Sequence, residues 1–189
     1  MRVAETLPLQ WEVVSTDAGA VARPTELLAH NLRWLPAEVP GTAASALRNA
    51  GEWTDEHVVD FDAGDWWFRT SFTSTATTGH LTFGGIATIA EAWLNGEPIL
   101  SSSNMFHRHE LDVSLRPDNE LVVVCRSLRS HLAARRPRGR WKTRLVELQQ
   151  LRWARTTLLG RMPGWTIPAA PVGLWRPVKI SVDTPMHVR

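Results

Sequence analysis

The sequence predicts an all-β fold, a sandwich or a barrel, and two observations carry this prediction. Between residues 65 and 126, short β-forming segments follow one another and are separated by turn residues, which is typical of antiparallel sheets rather than βαβ units. Within this region, residues 81–100 (LTFGGIATIAEAWLNGEPIL) contain two apolar runs that meet at Asn95-Gly96. Because Asn-Gly favours positive φ at both central positions, this pair predicts a two-residue β-hairpin turn.

The N-terminal third of the chain contains a first strand and a short helix. Residues 9–15 alternate weakly between apolar and polar side chains and predict a strand. The prolines within 35–40 restrict any strand there to a sheet edge or a loop. Residues 42–50 predict a short helix, since Thr42 can cap its N-terminus and Gly51 can close its end.

Strand composition dominates from residue 65 onward. Aromatic and β-branched residues are frequent, and turn residues such as the RPDN of 116–119 separate the segments. The predicted strands are 66–73, 80–86, 89–94, 99–100, 105–114, 120–126 and 174–182.

Residues 127–170 interrupt the strand pattern and predict an irregular, partly helical excursion before the last strand. Residues 127–135 are helix formers without β-branching, and Ser127 can cap them. Pro137 ends that segment, and the apolar spacing of 146–159 is close to helical.

Length and composition fit a single domain, 1–189, in which residues 1–35 form an N-terminal extension and the first strand. The one cysteine, Cys125, follows an apolar run, so we expect a buried, inert thiol and no intrachain disulfide. The N-terminus lacks the apolar region of a secretory signal, and no stretch approaches the length of a membrane span. We therefore expect a cytoplasmic protein without a membrane partner.

Charge and tryptophan content are both unusual. Residues 126–161 hold eleven of the 21 basic residues and a single acid, Glu147. Such a block suits nucleic acid or an acidic partner.

The chain has ten tryptophans and no tyrosine, and tryptophan can form a core, a sugar-stacking platform or an interface.

Four segments, in this order, carry a family resemblance: VPGT at 39–42 before the short helix, DWWFR at 65–69, GGIATIAEAWLNG at 84–96 and LWRPV at 174–178. Together they resemble the N-terminal domain of family 2 glycoside hydrolases, most closely the β-mannosidases, over roughly residues 36–182. The resemblance implies a galactose-binding-domain-like jelly-roll β-sandwich with a helical excursion before its last strand.

The resemblance also bears on activity. Retaining glycosidases need two carboxyl groups about 5 Å apart, and in the resembled family both are glutamates of a barrel domain for which this chain has no sequence. We therefore expect no catalytic residue and no cofactor in this chain, with hydrolysis of O-glycosyl bonds belonging to the full-length enzyme. The expected partners are carbohydrate, through that enzyme, and the remaining hydrolase domains or a neighbouring subunit, docked by the arginines. The alternative is a stand-alone carbohydrate-binding module.

Two residues are candidates for substrate binding. In the resembled enzymes a Gly-Trp-Asp-Trp-Gly-Pro run lines the sugar subsite, and residues 162–168 (MPGWTIP) match its position. Trp165 aligns with a tryptophan of that run and could stack on a pyranose ring, the alternative being loop packing. Thr166 stands where the family motif has its carboxylate, which puts mannoside specificity in question. Asn104 matches another family loop and could bind sugar hydroxyls, or it could form an Asx turn.

A metal site is the first rival hypothesis. His107 and His109 are spaced like the ligands of a cupin, which is also a β-sandwich. Glu110 follows immediately and should point to the opposite face. We therefore expect no bound metal.

Nucleic-acid binding is the second rival hypothesis. Trp141 and Trp153 lie among the arginines of 126–161, as in some nucleic-acid-binding proteins. The resembled family, however, carries a basic, partly helical excursion at the same place. We therefore expect a partner-facing surface and no nucleic acid.

Overall fold

The computed structural model describes residues 2–137 and 139–185 and contains two antiparallel sheets. The strands are β1 Arg2–Thr6, β2 Trp11–Thr16, β3 Leu35–Ala37, β4 Asp65–Thr73, β5 Thr78–Phe83, β6 Ile89–Leu94, β7 Glu97–Ser102, β8 His109–Ser114, β9 Asp118–Arg126 and β10 Val178–Pro185. One sheet has the order β1-β10-β5-β8 and the other β3-β2-β4-β9-β6-β7. The predicted all-β sandwich is confirmed.

The six-stranded sheet is buried on both faces, which explains its nearly continuous apolar strands. In β4, Trp66 and Phe68 enter the core between the sheets, whereas Trp67 points to the outer face. This alternation follows from the two-residue period of a strand. A 3-10 helix, Pro24–Ala29, and the loop after it cover the outer face. Cys125 lies in the inner core and is fully buried, as predicted.

The hairpin at Asn95-Gly96 connects β6 and β7 as predicted. The φ angles are 54° at Asn95 and 83° at Gly96. The Asn95 side chain also reaches β9, where its Oδ1 accepts from the Glu120 N–H at 3.0 Å and its Nδ2 donates to Asn119 Oδ1 at 3.0 Å. Leu81, at the start of the same segment, lies in β5 of the other sheet. The segment 81–100 therefore spans both sheets.

Helix α1, Ala43–Asn49, agrees with the predicted 42–50 helix, and Thr42 caps it together with Ser45. Helix α2, Leu128–Ala133, agrees with the predicted 127–135 helix, and the Ser127 hydroxyl accepts from the Ser130 N–H. No helix in the described residues is long and apolar enough to span a membrane.

The predicted helix over 146–159 is wrong, since only a 3-10 helix, Gln149–Trp153, forms there. The Gln149 side chain donates to the carbonyls of Thr143 and Val146 and accepts from the Thr143 N–H. A side chain that bonds the backbone in this way competes with helical hydrogen bonding.

Several strand predictions need correction, and the strand predicted over 80–86 is one of them, since it ends at Phe83. The first strand along the chain is β1, which pairs with β10 and was missed because its own pattern is weak. The strand predicted over 105–114 begins only at His109, since the preceding residues form a turn. The strand predicted over 174–182 begins at Val178 and extends to Pro185.

Candidate functional site

The exposed tryptophans all lie in the 127–170 excursion. Of the ten tryptophans, all within the described residues, five are buried and two are half-buried. The exposed ones are Trp165 (71%), Trp141 (64%) and Trp153 (45%). A tryptophan held in water costs hydrophobic stabilisation, so this distribution points to a ligand-binding or partner-binding face on the excursion.

Trp165 projects from a loop, residues 158–168, that is closed by its own hydrogen bonds. The Gly160 N–H donates to Thr166 Oγ1 at 2.8 Å, and the Trp165 N–H donates to the Met162 carbonyl at 3.2 Å. Gly160 has φ 73°, and a Cβ there would lie 2.1 Å from the Ala169 carbonyl oxygen, so only glycine fits. Thr166 thus stabilises the loop through its hydroxyl.

A buried ion pair anchors this loop to the sandwich. Arg161 binds Asp62 through two hydrogen bonds, Nε to Oδ2 at 2.6 Å and Nη2 to Oδ1 at 2.8 Å, and both side chains are only 5% exposed. Arg161 also donates to the Thr157 carbonyl at 2.8 Å. Because bidentate pairs fix orientation as well as distance, the base of the loop is held rigidly.

A cleft of about 400 Å³ lies beside the loop. Its lining includes Arg161, Gly164 and Thr166 of the loop and the segment 58–62, which contains Asp62. Within the cleft lining, Val58 and Val59 are exposed apolar side chains. The cleft and loop together offer a partly apolar surface next to Trp165.

Asn104 lies in a different loop, after β7. Its Oδ1 accepts from the Phe106 N–H at 3.1 Å, so the side chain forms an Asx turn. Within residues 2–137 and 139–185, Nδ2 makes no hydrogen bond and can donate to a ligand. In the same part of the chain, no hydrogen bond or ring contact joins Asn104 to Trp165.

The Asn104 loop is nevertheless fixed to the excursion through its neighbour Met105. The Met105 N–H donates to the Arg155 carbonyl at 3.0 Å, and its Sδ accepts from the Thr157 N–H at 3.0 Å. Trp175 Nε1 donates to the Met105 carbonyl at 2.9 Å. Both candidate loops are therefore attached to residues 155–161.

The two histidines of the metal hypothesis lie side by side, with ring centroids 4.5 Å apart. Burial, and secondarily the proximity of His107, lowers the pKa of His109 below its ordinary value. His109 Nε2 is 3.0 Å from Ser102 Oγ. The described residues contain no group of three histidine, cysteine, aspartate or glutamate side chains suited to a metal ion.

Two carboxylates, of Asp65 and Glu91, share one arginine. Asp65 and Glu91 both bind Arg126, at 3.0 and 2.7 Å, and the Asp65 side chain is almost fully buried. A retaining glycosidase instead needs two carboxyl groups that face the sugar. This pair is occupied by a guanidinium and holds β4, β6 and β9 together.

The same domain type is found among known proteins. Residues 11–176 match the family model described as "Glycosyl hydrolase 2 galactose-binding domain-like". The chain belongs to this family. As a member, it contains the β-sandwich of family 2 glycoside hydrolases, in agreement with the resemblance of the four sequence segments.

Relatives of this family 2 domain include glycosidases of several kinds. The β-mannosidase B of Aspergillus terreus is 30% identical over 177 residues, covering 80% of this chain and 20% of that protein. The exo-β-D-glucosaminidase of Streptomyces avermitilis is 32% identical over 95 residues, covering 43% of this chain and 10% of that protein. The crystal structure of the β-D-mannosidase of Dictyoglomus thermophilum superposes with a TM-score of 0.73 at 24% identity, over 94% of this chain and 22% of that one. The chain thus spans about a fifth or less of the length of these relatives.

Sequence reasoning missed the anchoring ion pairs of the family 2 domain. Acids at 60, 62 and 65 face arginines of the basic block 126–161 that lie 61 to 99 residues away along the chain. The pairs are Arg129 with Asp60, Arg161 with Asp62, and Arg126 with Asp65. The only sequence signal is the run of three acids in six residues before a basic block. These arginines pair with acids of the domain itself, and the docking of a partner by the basic block stays a prediction.

Proposed function

We propose that this chain acts as a non-catalytic domain of a family 2 glycosidase of the β-mannosidase type. It packs on the catalytic domain and lends the 158–168 loop to the sugar subsite. The observation that carries the proposal is the exposed Trp165 on a rigid loop, in a chain that belongs to a glycoside hydrolase family over residues 11–176. An aromatic face on a fixed loop suits stacking against the apolar face of a pyranose.

In this proposal Trp165 and Asn104 contact the sugar. Trp165 supplies the stacking face, and Asn104 Nδ2 donates to a hydroxyl. Thr166 bonds within its loop and has no charge, so the sugar loses the charged acceptor that the family motif would offer. Discrimination among sugars then depends more on contacts from the catalytic domain than on contacts from this loop.

The docking face in this proposal is the apolar part of the excursion and of the cleft beside it. Its exposed members are Leu158, Leu159, Trp165, Ile167, Val58 and Val59. Contiguous exposed apolar patches on soluble proteins commonly mark interaction sites. We take the catalytic domain of the same enzyme as the occupant, because the matched region covers only 20% and 22% of the two β-mannosidase relatives.

The test uses the polypeptide encoded by the complete reading frame, assayed with an aryl β-mannoside. We expect Trp165→Ala to lower kcat/KM by about tenfold or more, as loss of a stacking contact in a closed site would. Leu28→Ser, at an exposed apolar residue outside the excursion, serves as the control and should leave kcat/KM unchanged. Equal kcat/KM values for Trp165→Ala and the parent would show that Trp165 does not contact the sugar. A reading frame without a second domain, together with mannoside binding by the 189-residue chain, would favour the stand-alone module.

A further inference from the structure

A second concave surface lies behind the 3-10 helix Gln149–Trp153. Leu151 of this helix faces the cleft described above, whereas its polar side chains face a groove of about 580 Å³. The groove is also lined by residues from the end of α2 and the segment after it. The lining residues that matter for binding are Arg135, Arg136, Trp141, Lys142, Gln150 and Arg152.

The groove has a strong, uncompensated positive charge. Within the described residues, Arg135, Lys142 and the neighbouring Arg140 and Arg144 form no ion pair with a carboxylate. Glu147 is the one acid among the groove residues. Unlike the arginines that anchor the excursion, these cations are therefore available to an anionic ligand.

The Arg136 guanidinium is only partly satisfied. Within the described residues, its buried Nε has no hydrogen-bond partner, while its Nη2 lies 3.0 Å from His131 Nε2. A buried donor without an acceptor is costly. Nε itself is closed off from a ligand, so an incoming carboxylate would bind this guanidinium through Nη1, which makes no hydrogen bond in the described residues.

An aromatic face stands next to these cations. The Arg152 guanidinium lies 4.6 Å from the ring centroid of Trp141 and is itself bound to the carbonyls of Gln149 and Trp141. Trp141 is therefore held in place on one side while most of its surface is exposed. The opposite ring face is open to a flat ligand.

We propose that this groove binds an acidic saccharide, with a uronate carboxylate on Arg136 and the pyranose ring on Trp141. The amide of Gln150 can bind sugar hydroxyls. The site is distinct from Trp165 and does not depend on the proposed docking of a catalytic domain.

Two other ligand classes are competing outcomes of the test. The core of a protein interface is depleted of charged residues, whereas several cations line this groove. Single-stranded nucleic acid stacks its bases on aromatic side chains along a basic track, and Trp141 and Trp153 both line this groove. The combination of a fixed tryptophan ring, unpaired cations and the Gln150 amide matches an anionic sugar ring.

The test is calorimetric titration of the 189-residue chain with trigalacturonate, and with its methyl ester as the uncharged matched ligand. We expect saturable binding of the acid, at least about fivefold weaker binding of the ester, and weaker binding of the acid as salt increases. Arg136→Gln and Trp141→Ala should each weaken binding of the acid by about fivefold or more. Lys179→Gln removes one exposed charge on β10 and should have no effect.

Several results would overturn the proposal. They are the absence of trigalacturonate binding at millimolar concentration, equal binding of acid and ester, or binding that Trp141→Ala leaves unchanged. Tighter binding of polyglutamate or single-stranded DNA than of trigalacturonate would also overturn it, in favour of a general polyanion surface. If thermal melting shows that Arg136→Gln is unfolded, Lys142→Gln takes its place with the same expectation.

Discussion

At the scale of single residues, the Asp62–Arg161 pair shows how a buried charge can be tolerated. Both ions are almost fully removed from water, which is expensive unless each charge is fully hydrogen-bonded. Here the guanidinium binds both carboxylate oxygens and the Thr157 carbonyl. The pair fixes the position of the Trp165 loop, and that role explains its presence better than a gain in stability does.

Removing one partner of this pair should be severe. We expect Asp62→Ala to lower the free energy of unfolding by about 3–5 kcal/mol, because the Arg161 charge would stay buried without a counter-ion. Glu52→Ala is the control, since Glu52 pairs with Arg33 at the surface, where such pairs contribute at most about 1 kcal/mol. Urea unfolding measures both. Similar losses in the two variants would contradict the anchoring role of the buried pair.

His109 should make stability dependent on pH. Its pKa in the folded chain is below the ordinary value, so in mildly acidic solution the unfolded chain binds more protons at this site. The stability that the folded chain gains from keeping His109 neutral is therefore fully present above about pH 6.5, and it is lost as the pH falls below that value. We expect His109→Gln to flatten the decrease in unfolding free energy between pH 7.5 and 5.5.

A proton NMR titration provides the direct check on His109. The ring should titrate below about pH 6.5, and His107→Gln should raise its pKa part of the way back by removing the secondary cause. Identical pH profiles for His109→Gln and the parent would show that this group does not contribute.

At the scale of elements, the β6–β7 hairpin depends on backbone conformation as well as on pattern. Both turn residues adopt positive φ, and Asn95 also bridges to β9 through its side chain. The turn therefore sets the β6–β7 connection and the contact with the neighbouring strand together. This dual role explains why Asn, rather than Gly, occupies the first turn position.

Substitution at the second turn position tests the conformational requirement. No atom lies within 4 Å of the place that a Cβ of residue 96 would take. The only penalty for Gly96→Ala is therefore the positive φ angle, and we expect the substitution to lower the free energy of unfolding by about 1–2 kcal/mol. Glu97→Ala, the exposed next residue, should change it by less than about 0.5 kcal/mol. If Gly96→Ala lowers the free energy of unfolding as little as Glu97→Ala does, the positive φ angle at residue 96 is not required, which would contradict this turn.

At the scale of the whole molecule, the two sheets and the excursion differ in how much apolar surface they bury. The sheets bury most of the large apolar residues in the core between them and under the 3-10 helix Pro24–Ala29. The excursion has only a small core of its own, formed by Leu128, Leu132, Val146 and Leu151, and leaves three tryptophans exposed. In the proposed function the sandwich therefore serves as the scaffold and the excursion as the interacting surface.

This division predicts how the isolated chain behaves. We expect it to self-associate as its concentration rises, because the exposed apolar face of the excursion is uncovered. Leu159→Ser, at a side chain that is 57% exposed, should shift the mass measured by light scattering toward the monomer. Leu28→Ser, at a side chain that is 87% exposed on the 3-10 helix Pro24–Ala29, should not. A monomer at all concentrations, or an equal effect of both variants, would contradict the docking face.

The sequence alone determined the fold class, the Asn95-Gly96 turn and the caps of both helices, because each depends on local conformational preference or on a two-residue period. Only the tertiary structure decided which tryptophans are exposed, since burial depends on what folds over a strand. It also divided the basic block into anchoring arginines, such as Arg161, and the free cations of the groove. Electrostatic partners up to 99 residues apart along the chain have no periodic signature, and hence only folding reveals them.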